Sequence, residues 1–76
     1  MNTTRRKSLN LLADQLWSAK NDLIPLLREE EAFRDRTPEA LRGSARYRWE
    51  CDTCHALDSA LSGLEEAIVN IEAALE

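Results

Sequence analysis

The sequence predicts an all-α fold: a long antiparallel helical hairpin that dimerises into a four-helix bundle. Two leucine-rich stripes at helical spacing flank one short hinge. Leu, Ala, Glu and Arg dominate while Gly and Pro occur only twice each, too few turn signals for a sheet protein. At 76 residues there is room for a single domain, residues 1–76, and so short a chain buries a smaller share of its surface than a larger one, which makes association an expectation.

The first helix is expected over about residues 4–34. Leu9, Leu12, Leu16, Ala19, Leu23 and Leu26 recur at spacings of three and four, and Phe33 falls in phase after a skipped step at Glu30. This heptad pattern marks an apolar seam. Thr3 or Thr4 is placed to cap the start by accepting a free N–H of the first turn. Pro25 has no N–H to donate and its ring crowds the carbonyl four residues back, so a kink is expected near Asn21.

The hinge is expected over residues 35–43. Thr37-Pro38-Glu39 reads as the start of a short helical turn, Thr37 capping and Pro38 at the first helical position, where its missing N–H costs nothing. Gly43 ends that turn and Ser44 caps the second helix, expected over about residues 44–75. Its seam runs Tyr47, Cys51, Cys54, Leu57, Leu61, Leu64, Ile68, Ile71 and Leu75. Folding back sets Phe33 against Tyr47, Leu26 against Cys54, Leu16 against Leu64 and Leu9 against Ile71. Arg5-Arg6-Lys7 then lies beside Glu72, Glu76 and the negative end of the second helix's dipole.

A lone hairpin of this length is marginal, and a second set of apolar positions offers a remedy. Ala56, Ala60, Gly63, Ala67 and Ala74 form a small-residue stripe beside the seam of the second helix; Trp17, Ile24 and Leu27 form a bulkier one on the first. These are the expected homodimer contacts, with the second helix central because small residues let helix backbones approach closely.

The net charge of -4 is mild, but Glu50 to Glu76 holds seven acidic residues and no Lys or Arg, and all ten basic residues lie at or before Arg48. Arg34, Arg36, Arg42, Arg46 and Arg48 crowd the hinge end with Tyr47, Trp49 and the N-terminus of the second helix. Guanidinium forks, aromatic faces and free helix N–H groups suit a phosphate, a nucleotide or an acidic protein loop. The competing reading is that Glu29, Glu30, Glu31, Asp35, Glu39 and Glu50 neutralise these arginines in surface ion pairs.

Cys51-Asp52-Thr53-Cys54-His55 spells C-x-x-C-H, the spacing by which c-type haem is attached. Both cysteines fall on the seam, so packing as small apolar residues is the expected role. Zinc on Cys51, Cys54 and His55 needs a fourth ligand, from Asp58 or a second copy. No cofactor is expected, and with one histidine and no nucleophile–base arrangement, catalysis is not expected either. The start has no signal-peptide core and no run reaches a membrane span, so a cytoplasmic location with reduced cysteines is expected.

The layout resembles a group of small helical proteins encoded by phages and prophages. The residues that carry it are Arg5-Arg6 at the start, Pro38-Glu39, Leu41 and Ser44 in the hinge, and Leu64-Glu65-Glu66-Ala67-Ile68 in the second helix. The resemblance implies a phage accessory protein that acts in a bacterial host by occupying a host or defence macromolecule, or a signalling nucleotide. A dimerising antiparallel hairpin also resembles the Rop-like RNA-binding proteins, although an acidic second helix is a poor surface for RNA.

Overall fold

Helix α1 (Thr3–Asp35), a single 3-10 turn (Glu39–Leu41) and helix α2 (Ala45–Leu75) make up the hairpin in a computed structural model describing residues 1–76. The helices lie side by side as a rod of 59 × 15 × 14 Å, in contact along their length. No helix is long and apolar enough to cross a membrane.

Asn2, not Thr3 or Thr4, caps α1: its backbone is extended and its side-chain oxygen accepts the Arg5 N–H at 2.8 Å. The short amide reaches back over the first turn, which leaves both threonines inside the helix. Helix α1 runs unbroken through Pro25. At the hinge the sequence expectation is one residue early, because Pro38 (φ -56°, ψ 142°) is itself the residue preceding the turn and Thr37 caps nothing. Ser44 caps α2 as expected, accepting the Tyr47 N–H at 3.1 Å. The far ends are tied by the Arg6 guanidinium, which donates to the Leu75 carbonyl.

The seam of α2 is the one its periodicity predicts, with Cys54 and Ile68 buried and Tyr47, Cys51, Leu57, Leu61, Leu64, Ile71 and Leu75 half-buried. The seam of α1 is rotated from the predicted one. Leu9, Leu16 and Leu23 face α2, but Ala13, Lys20, Leu27 and Arg34 flank them instead of Leu12, Ala19, Leu26 and Phe33. Leu27 is 6% exposed and Leu26 55%. Lys20 and Arg34 tolerate these positions because long side chains lay their stems along apolar surface and carry the charge outward. Lys20 reaches Glu65 at 3.8 Å and sits 4.6 Å from the centre of the Trp17 ring, whose N–H donates to Glu72 at 3.3 Å.

The rotation divides the expected dimer contacts. Leu27 is spent inside the hairpin. Trp17, tied to Glu72, and Ile24 seven residues on, lie along the edge that carries Lys20, Glu65 and Glu72. Ala56, Ala60, Gly63 and Ala74 are exposed and Ala67 half-buried on the other side. These two sets therefore lie on different sides of the hairpin.

The rotation has a measurable signature. Leu27→Ala should cost about 2–5 kcal/mol, as for other buried leucines, whereas Leu11→Ala, at an exposed site, should stay within about 0.5 kcal/mol. Denaturant titration followed by far-UV circular dichroism reads both, and equal costs would reject this packing.

Candidate functional site at the hinge

Four of the five hinge arginines have no ionic partner. Arg34 pairs with its neighbour Asp35, Nε to Oδ1 at 3.1 Å, which holds its guanidinium firmly protonated. Arg42 is a structural clamp: its Nε donates to the Thr37 carbonyl at 3.2 Å and its Nη2 to the Asp35 carbonyl at 3.4 Å. Those carbonyls lie past or at the end of α1, where no intrahelical donor remains. Arg36, Arg46 and Arg48 make no ion pair, since Lys20–Glu65 and Arg34–Asp35 are the only two in the chain. The surrounding acid does not neutralise the cluster.

Nor do the five arginines form one cluster. Arg36 and Arg46 line an open groove of about 820 Å³ together with Phe33, Pro38, Leu41, Tyr47, Trp49, Glu30 and Glu50. Trp49 is 68% exposed, an unusual position for the largest apolar side chain. Arg34 borders a smaller cleft of about 330 Å³ on the other side of the hairpin, with Leu27, Glu31, Cys51, Cys54, His55 and Asp58. Arg48 is exposed and lines neither.

Beyond Arg36, Arg46, Tyr47 and Trp49, to which the sequence points, the groove is lined by Glu30, Phe33, Thr37, Pro38, Leu41, Ser44, Glu50 and Thr53. The phase of Phe33 places it in the seam, and the rotation of α1 releases it. For Glu50 a signal existed, because it lies three residues after Tyr47 and four before Cys54, on the seam itself. It is 9% exposed, and its Oε1 has no hydrogen-bond partner. A hydrogen bond with the Glu30 carboxyl, burial, and the like charge of Glu30 together raise its pKa above the usual carboxylate range, against the lowering effect of Arg34 and Arg46. Two carboxyls facing each other across the helices are most stable sharing one proton.

The cysteine pair belongs to the hairpin's interior. Cys54 is buried and Cys51 half-buried, both as free thiols, while His55 is exposed. Burial pushes the Cys54 thiol up, which Arg34 only partly offsets, so the sulfur stays protonated and weakly nucleophilic at neutral pH. No group of three or more His, Cys, Asp or Glu side chains is arranged to hold a metal ion.

Comparison of the chain with protein-family models, with curated proteins and with solved structures returned no match. The site's chemistry therefore rests on its own residues.

Two outcomes follow from the titrating groups. With a folded pKa above the unfolded value, Glu50 contributes fully to stability below the ordinary glutamate range, and that contribution is lost as pH rises through the raised value. Glu50→Gln should raise the melting temperature near neutral pH and converge with the wild type near about pH 4; no difference at either pH would refute the shared proton. In a thiol-exchange assay, Cys51 should react rapidly and Cys54 only at the rate at which the hairpin opens. Equal fast rates would show that Cys54 is not buried.

Proposed function

We propose that the protein is a non-catalytic, phage-type accessory protein that works as a homodimer in the cytoplasm of its host. In this reading it acts by occupying a host or defence macromolecule, or a signalling nucleotide, through its hinge end. The observation that carries it is the pairing of unpartnered Arg36 and Arg46 with the exposed Trp49 in one groove. Arginine and tryptophan are the side chains that most often dominate binding energy, and here both stand outside their own chain's contacts.

The hinge is also built to present them without rearranging. Arg42 fixes the end of α1 through two carbonyls and Ser44 fixes the start of α2, so little ordering cost falls on a partner. Binding without chemistry fits the residue set, because the groove's Ser44 and Thr53 hydroxyls are engaged with backbone groups of α2.

Native mass spectrometry of gently purified protein, followed by capture from a bacterial lysate, tests the reading. The wild type should retain a nucleotide or a discrete partner. Arg46→Glu and Trp49→Ala should each weaken capture at least tenfold while far-UV circular dichroism stays unchanged, whereas capture insensitive to both would reject the hinge as the contact surface. RNA held in a steeply salt-dependent manner would support the Rop-like reading instead.

A further inference from the structure

We infer that the face carrying Leu12, Leu26 and Phe33 on α1 and Ala60 and Gly63 on α2 is where a second copy of this chain packs. The inference rests on the homodimer reading above and specifies its interface, moving it off Trp17, Ile24 and Leu27.

The first argument is area. The hairpin buries only five residues and exposes 5774 Å² at a mass of 8.7 kDa. A compact monomer of that mass exposes about 4,700 Å². The surplus of roughly 1,000 Å² is close to the ~800 Å² that each partner contributes to a standard interface.

The second argument is the chemistry of the two faces. Phe33 and Trp49 line one groove and so share a face. Helical steps back from Phe33 give Leu26, Ala19 and Leu12; steps on from Trp49 give Thr53, Ala56, Ala60, Gly63 and Ala67. None of these is charged, and Glu30, Arg36, Arg46 and Glu50 stand at the hinge end of this face. The opposite face carries Asp58, Glu65, Glu72 and the Lys20–Glu65 pair. Leu12, Leu26, Phe33 and Trp49 all remain more than two-fifths exposed, a contiguous apolar strip that soluble monomers seldom show.

The third is Gly63. A Cβ there would meet nothing in its own chain, so the hairpin does not need glycine at that site. Glycine in a helix interior costs about 1 kcal/mol relative to alanine. Close approach of a second helix gives the missing side chain a use.

Size-exclusion chromatography with light scattering decides the face. The wild type should run at twice the chain mass, Leu26→Glu and Ala60→Glu at the mass of one chain with helicity retained, and Val69→Glu on the opposite face as a dimer. A wild-type monomer at roughly 100 µM, a concentration well above a micromolar dissociation constant, would overturn the inference. Dissociation by Val69→Glu but not by Leu26→Glu or Ala60→Glu would overturn it too. Molecular mass judges this interface; lysate capture by the hinge judges the contact reading separately.

Discussion

Helix α1 carries a wider apolar arc than a single neighbouring helix can cover, and the rest of the architecture follows from that mismatch. Three lines of residues spaced by seven run along it: Leu12, Ala19, Leu26 and Phe33; Leu9, Leu16 and Leu23; and Ala13, Lys20, Leu27 and Arg34. An antiparallel partner of similar length covers two adjacent lines at most, because helix contact is confined to a narrow strip along facing ridges. The hairpin covers the second and third, leaving the first in solvent.

This choice becomes intelligible once α2 is included. Covering Leu27 brings it beside Cys54, and it also brings Lys20 and Trp17 within reach of Glu65 and Glu72. Each exposed ion pair contributes little by itself, but together with the cation over the Trp17 ring these contacts close one long edge of the rod with polar groups. The other edge carries the exposed Leu12, Leu26 and Phe33 of α1 beside Ala60, Gly63 and Trp49 of α2. The hairpin is therefore two-faced, one side finished in itself and the other side open.

At the hinge the same rotation has a chemical consequence. It frees Phe33 to join Trp49 and Tyr47 around a groove, and it sets Glu30 toward Glu50 while Arg34 turns to the opposite cleft and to Asp35. The carboxyl pair is left with no cation in ion-pair contact, and Arg36 and Arg46 are left with no anion. Buried polar atoms are normally satisfied; an orphaned carboxyl oxygen beside unpaired guanidiniums concentrates unmet interactions at one end of the rod, and these distinguish it from the rest of the surface.

The sequence by itself determined the helices, the antiparallel hairpin, the Ser44 cap and the seam of α2 apart from Glu50, because each depends on local spacing and capping chemistry that a period of three and four records directly. It also located the arginine-rich end. What only the tertiary structure decided was which flank of α1 is buried, and hence the fate of Leu12, Leu26, Leu27 and Phe33. Local periodicity marks an apolar arc but not the rotation of that arc toward its neighbour, which depends on side chains such as Glu65 and Glu72 some fifty residues away. The division of the arginines between a groove, a cleft and a backbone clamp was hidden for the same reason: residues adjacent in sequence leave a helix about 100° apart, so a cluster in the chain is not a cluster in space.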